Sequence, residues 1–144
     1  MPSGTLYDLY GGVGFFSALL GGKMKKSILV EFDAPAVEWA VRNLHGTQCV
    51  AADAAEWLPE GLGEPGDVIL LDPPRTGLAP EMCEKLQTAG AADLVLVGCD
   101  GAAFCRDVKR LAPAWKLEGL AVADLFPMTT HVECVAWFRK NTAE

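Results

Sequence analysis

Asp8-Leu9-Tyr10-Gly11-Gly12-Val13-Gly14 is the stretch that decides the fold, because it follows a short apolar run and opens a helical segment. Glycines at such a turn permit positive φ and let a ligand lie against bare backbone. A dinucleotide fold wants GxGxxG at this point, to seat a pyrophosphate on a helix N-terminus. Here Phe15-Phe16 lead to Ser17 at the third glycine position, and the Asp8 carboxylate would repel phosphate. A nicotinamide dehydrogenase therefore fits poorly, and a ligand without phosphates fits better. The plain alternative is a tight strand-to-helix turn that binds nothing.

Working outward, Leu6–Tyr10, Ile28–Phe32, Val68–Leu71 and Leu94–Val97 read as buried strands, with Gln48–Ala52 a weaker candidate. Periodicity predicts a helix over Ala34–Leu44, apolar at Val37, Ala40, Val41 and Leu44. Asp33 is placed to cap it, and Pro35 suits its first turn. A second helix is expected over Pro80–Thr88, with Met82, Leu86 and Ala89 inward. A third is expected over Gly101–Leu111, with Phe104, Val108 and Leu111 on one face and Asp100 as cap. Two extended stretches, Trp115–Phe126 and Val132–Phe138, close the chain. Strand–helix alternation predicts a parallel sheet with right-handed crossovers. The helixless ending predicts a last strand inserted antiparallel to its neighbours. The fold class is thus α/β, a three-layer Rossmann-like sandwich, with residues 1–144 as one domain.

Composition agrees with a folded domain: 144 residues, 51% hydrophobic and 22% charged. Lys and Arg number 12 against 19 Asp and Glu, a net charge of −7. Phosphate contact needs clustered Lys and Arg, so any nucleic acid must be gripped with outside help. No apolar run approaches the ~18 residues of a membrane helix, and no signal-peptide pattern opens the chain. The five cysteines form no CxxC pair, which reads as reduced thiols in a cytoplasmic protein without a metal site.

In open α/β sheets the ligand lies beyond the carboxyl ends of the strands. That edge collects Asp8–Gly14, Glu31, Asp53, Asp72–Arg75 and Cys99-Asp100. Glu31, at the end of the second strand, is placed to accept ribose hydroxyls, and Asp53, after the third, an adenine amino group. For each, the alternative is a solvated loop carboxylate or a helix cap. S-adenosylmethionine fits this set, having a ribose, an adenine, a sulfonium and no phosphate. In Asp72-Pro73-Pro74-Arg75 the two prolines stiffen a wall for a flat base, a loop typical of enzymes that methylate base nitrogens. A rigid turn is the alternative. Cys99 stands at the N-terminus of the next helix, where a thiolate is favoured. Cys49, Cys83, Cys105 and Cys134 read as small buried hydrophobes. Glu133 is the one acid in the apolar stretch Val132–Phe138 and is a candidate general base. His131 shares its strand face, as a second candidate or as a loop histidine with one hydrogen bond.

Taken in order, Asp8–Gly14, Val30-Glu31, Leu71–Arg75, Gly98–Asp100 and Asp124–Glu133 resemble the catalytic domain of the S-adenosylmethionine-dependent RNA uracil-5-methyltransferases, which form 5-methyluridine in tRNA or rRNA. The Cys99 segment and the Phe-Pro-x-Thr-x-His-x-Glu ending are the selective part. The resemblance implies a methyltransferase sandwich in which Cys99 adds to C6 of uracil and Glu133 removes the C5 proton. It implies Asp8, Tyr10, Gly12, Gly14, Glu31, Asp53 and Asp72 around S-adenosylmethionine, and Pro73, Arg75 and His131 around a flipped-out base. Departures are Gly11 where the family usually has Cys, Asp100-Gly101 for Asn-Pro, and Phe15 for a polar residue. The family's N-terminal RNA-binding and central parts have no counterpart before the first strand. RNA is expected as a partner held through that part, with little methylation by this piece alone. Two other readings stay open: a base-N-methyltransferase with no covalent step, and a non-catalytic cofactor-binding module.

Overall fold

Four apolar residues, Val68–Leu71, form β4 with the bounds their unbroken hydrophobicity predicts. Around this strand the computed structural model describes residues 4–125, 127–129 and 132–141. The other strands are β1 (Thr5–Leu9), β2 (Lys26–Glu31), β3 (Thr47–Ala51), β5 (Asp93–Gly98), β6 (Trp115–Ala123) and β7 (Glu133–Lys140). The α-helices are α1 (Phe15–Leu20), α2 (Ala34–Asn43), α3 (Ala54–Trp57), α4 (Pro80–Thr88) and α5 (Gly101–Leu111).

The seven strands lie in the order β3-β2-β1-β4-β5-β7-β6. Strands β1 to β5 are parallel, and β7 is inserted between β5 and β6, antiparallel to both. The order reverses between β1 and β4, which opens a crevice at the carboxyl edge. On one sheet face Leu9, Val30, Ile69, Leu71, Leu94 and Leu96 meet Leu58, Met82, Leu86, Phe104 and Leu111. Ala136 and Phe138 extend this core onto β7. On the other face Leu29 packs with Ala40 and Leu44 at α2.

Helix ends follow local chemistry. Asp33 accepts from Ala36 N at 3.1 Å, with Pro35 in the first turn of α2. Asp100 accepts from Ala103 N at 2.8 Å to cap α5. Other expectations are corrected. Val41 is 60% exposed, because α2 buries only Val37 and Ala40, with Leu44 just past its end. Cys105 is exposed and Cys49 half-buried, leaving Cys83 and Cys134 as the buried pair. Cys105 follows Phe104 by one residue, a rotation of about 100° away from the face that α5 buries. Strand β6 stops at Ala123, and Phe126 lies outside the described residues. Helix α3 and the 3-10 turn Gly21–Lys23 had no sequence-based expectation, being too short to show a period. Among the described residues no helix is long and apolar enough to cross a membrane.

Trp115 ties the sheet to α4: its ring is buried and its Nε1 donates to Leu86 O at 2.9 Å. Lys140 Nζ sits 4.7 Å from the ring centroid. Trp115→Ala is expected to cost about 3–5 kcal/mol. Urea titration should give a lower midpoint at unchanged slope, whereas an unmoved midpoint would contradict this packing.

Candidate active site

The register of β5 on β7 runs from Asp93 opposite Arg139 to Gly98 opposite Cys134. Cys99 directly follows Gly98, and Glu133 directly precedes Cys134, so both flank this last pair. Both residues line a cavity of about 560 Å³ at the carboxyl edge, together with Tyr10, Gly12 and Asp72. Its apolar wall includes Phe15, Val97, Leu125 and Val135.

The glycine turn borders this cavity. Tyr10 adopts φ 61°, a left-handed conformation that costs an L-residue roughly 1–2 kcal/mol. Burial, reinforced by the Asp53 charge, pushes its hydroxyl up to about 12. Gly12 has open space above its Cα, and its N–H donates to Glu31 Oε2 at 3.0 Å. The other Glu31 oxygen accepts from Asp33 N at 2.8 Å. Gly14, at φ 95°, is required for a different reason from bare backbone facing a ligand: the Leu44 side chain occupies the place of its missing Cβ.

Asp8 is fully buried and lies beneath the turn, off the cavity wall. Its Oδ2 accepts from Ser17 N at 3.0 Å and from Ser17 Oγ at 2.6 Å. This pairing explains the serine where a dinucleotide motif would carry glycine. Asp8 Oδ1 is buried with no hydrogen-bond partner among the described residues. Burial pushes the Asp8 carboxyl above its ordinary range, against the two Ser17 bonds. Asp53 caps α3, its Oδ1 accepting from Ala55 N at 2.8 Å and Glu56 N at 3.1 Å.

The loop after β4 starts from β1, with Asp72 N donating to Leu9 O at 3.3 Å. Asp72 is exposed at the cavity mouth, yet partial desolvation of its carboxyl by the surrounding wall, followed by the charges of Glu133 and Asp8, pushes it up to about 6. Pro73 is buried and Arg75 is exposed. Pro73 and Arg75 line a narrow cleft of about 10 Å³ beside Cys99 and Asp100, next to the main cavity. His131 lies outside the described residues.

The charges of Glu133 and Asp8 thus act on Asp72 with no ion pair to a cation among the described residues, where the ion pairs lie elsewhere. Uncompensated carboxylates with an unpartnered buried oxygen suit a cationic ligand and disfavour a phosphate. Among the described residues no three His, Cys, Asp or Glu side chains gather to hold a metal ion.

Residues 66–141 match the model of the tRNA (Uracil-5-)-methyltransferase family, more than half of the chain. The chain belongs to this family. Cys99, Glu133 and Asp72 all fall inside the matched segment. A 23S rRNA (uracil(1939)-C(5))-methyltransferase of Pseudomonas fluorescens is 38% identical over 146 residues, covering 93% of this chain and 31% of the relative. An RNA methyltransferase of Bifidobacterium longum, described as uncharacterized, is 33% identical, covering 94% of this chain and 34% of the relative. Among solved structures, the tRNA (uracil-54, C5)-methyltransferase of Pyrococcus abyssi in complex with S-adenosyl-L-homocysteine is 30% identical at TM-score 0.82. It covers 96% of this chain and 34% of that protein. The N-methyltransferase NodS of Bradyrhizobium japonicum, at 13% identity and TM-score 0.78, shares the fold. The chain spans about a third of the length of the curated relatives it matches.

Sequence reasoning missed the apolar wall, since Val97, Leu125 and Val135 look like any strand or loop hydrophobe. It also missed Asp107, the buried acid of α5. A signal was available there: Phe104, Asp107, Val108 and Leu111 fall at i, i+3, i+4 and i+7, so the acid interrupts an apolar stripe.

The raised Asp72 carboxyl carries a pH consequence. The native state keeps the Asp72 proton up to about pH 6, while the unfolded chain releases it near the ordinary 3.8. This group therefore lowers native stability as pH rises through that window, with no further change above it. The melting temperature of Asp72→Asn relative to wild type should rise between pH 4 and 7 and then level off. A difference independent of pH would contradict the shift.

Proposed function

We propose that the chain is the catalytic part of an RNA methyltransferase that transfers a methyl group from S-adenosylmethionine to C5 of a uridine, through a cysteine adduct at C6. The observation that carries this reading is that Cys99 and Glu133, the residues flanking the last β5–β7 pair, line one cavity. Membership of the family and the uracil-C5 activities named for the relatives support it.

Gly12 and the backbone of Tyr10 offer an open surface for the cofactor, and Glu31 stands beside them as acceptor for ribose hydroxyls. Asp53 keeps Oδ2 for the adenine amino group, its Oδ1 being used by α3. The carboxyls of Asp72 and, below the turn, Asp8 favour a positively charged centre. When bound, S-adenosylmethionine supplies an electrophilic methyl group on a positively charged sulfur.

Uracil C5 is a weak nucleophile until a group adds to C6. The Cys99 thiolate forms a bond to C6, and the electrons of the C5–C6 double bond move toward C5 and the adjacent carbonyl. After C5 has gained its methyl group, the Glu133 carboxylate takes the C5 proton. The C5–C6 double bond re-forms and expels the Cys99 thiolate, which regenerates the enzyme. Pro73 and Arg75 border the same region and are assigned to holding the base, with His131 as a further base contact. The base must leave its stack to be attacked perpendicular to the ring. With a net charge of −7, the chain needs outside help for phosphate contact with a tRNA or rRNA substrate, and its work is assigned to the cytoplasm.

In the full-length protein, Cys99→Ala should abolish covalent capture of a 5-fluorouridine RNA, seen as a shifted band on a denaturing gel. Capture by that variant at the wild-type level would overturn the reading. Glu133→Gln should instead leave an adduct on ordinary uridine RNA, because the C5 proton is no longer removed. For the cofactor, Glu31→Gln is expected to weaken S-adenosylhomocysteine binding by about tenfold in calorimetry, the scale of one charge-assisted hydrogen bond. Unchanged affinity would remove Glu31 from the ribose site.

A further inference from the structure

Between the Asp72–Arg75 loop and α5 lies a hydrogen-bond network that the reaction itself does not use. Asp107 is 1% exposed, on the helix face that also carries Phe104 and Leu111. Its Oδ2 accepts from Leu78 N at 2.7 Å. Its Oδ1 accepts from Arg106 Nε at 3.0 Å and Nη2 at 2.9 Å, with Arg110 Nη1 at 3.7 Å. Arg106 Nη2 also donates to Thr76 O at 2.7 Å, and Arg110 Nη1 to Leu78 O at 3.5 Å. Three backbone groups of residues 76–78 are thereby held by side chains of one helix turn.

The loop is shaped to meet this carboxylate. Gly77 N donates to Pro74 O at 2.8 Å, closing a turn directly after the two prolines. Gly77 has φ 75°, and a Cβ there would collide with Asp107 Oδ2 and Arg106 Nη2. The cleft of about 10 Å³ between loop and helix is lined by Pro73, Arg75, Cys99 and Asp107. Helix α5 begins two residues after Cys99, so its N-terminal end is tied to the nucleophile while Asp107 is tied to the loop. Two segments that are separate in sequence are joined here by one buried charge.

We propose that Asp107 is a positioning residue, which sets the Asp72–Arg75 loop against Cys99 by clamping residues 76–78 to α5. This rests on the reading of Cys99 as the nucleophile. A surface ion pair would contribute little. A carboxylate that is itself buried and takes a buried backbone N–H is different, because removing it leaves the Leu78 N–H unpaired in the interior. A loop freed by even about 1 Å is enough to lower a rate ~100-fold when reacting groups must meet in one geometry.

The test uses the full-length protein with Asp107→Asn, which keeps the shape but weakens the clamp, and with Gly77→Ala, which disturbs the same contact from the loop side. Three quantities are compared with wild type: the rate of covalent capture of 5-fluorouridine RNA, kcat and KM for RNA methylation, and S-adenosylhomocysteine affinity by calorimetry. The expected result is a drop of at least tenfold in capture rate and kcat for both variants. S-adenosylhomocysteine affinity should stay within about twofold, because the glycine turn and Glu31 lie away from the clamp. Wild-type capture rates in both variants would overturn the proposal. So would parallel losses of affinity and activity, or failure of both variants to fold, since either assigns the clamp to stability alone. If the wild-type protein captures no RNA, the nucleophile reading fails and the positioning role falls with it, an outcome distinct from normal capture by the variants.

Discussion

The insertion of β7 between β5 and β6 is the constraint on which the site depends, because it carries Glu133 to the end of the strand that leads into Cys99. What holds that register is hydrophobic burial. Along β7, Cys134, Ala136 and Phe138 face the main core, while Val135, Trp137 and Arg139 face outward. A one-residue slip would turn Phe138 out and bring Trp137 or Arg139 inward. Burying a large apolar side chain stabilises by about 1.5–3 kcal/mol, so a slip would cost several kcal/mol before any catalytic group is considered. The placement of Cys99 and Glu133 on one cavity thus depends on core side chains that lie off its wall.

Hydrogen bonding sets the carboxylates of this edge apart from one another. Glu31 ties the glycine turn to β2 through Gly12 N, and Asp8 ties the start of α1 to β1 through Ser17. Asp53 and Asp100 cap helices. Asp72 and Glu133 remain on the cavity wall, and their mutual charge together with desolvation raises the Asp72 carboxyl. Carboxylates that look equivalent as letters differ because some have backbone N–H partners and some do not.

Much of this architecture is legible in the chain. Unbroken apolar runs identify the parallel strands, and cap residues mark where α2 and α5 begin. Asp72, Cys99, Tyr10, Gly12 and Glu133 do converge on one cavity, because strand ends share an edge once the topology is known. Individual contacts are less legible. Nothing in the letters shows that Ser17 bonds the Asp8 carboxylate, and Val41 looks buried until the narrow footprint of α2 is known. Such details depend on which neighbour arrives from a distant segment, and that information is not periodic.

The glycine at position 14 limits how this turn can drift in evolution. Its place is guarded twice, by a left-handed backbone at φ 95° and by the Leu44 side chain pressed against it. Trimming Leu44 would open the space but leave the dihedral penalty intact, while remodelling the turn would relieve the dihedral but leave the clash. A side chain at position 14 therefore calls for two adjustments at once, one in the turn and one at the end of α2.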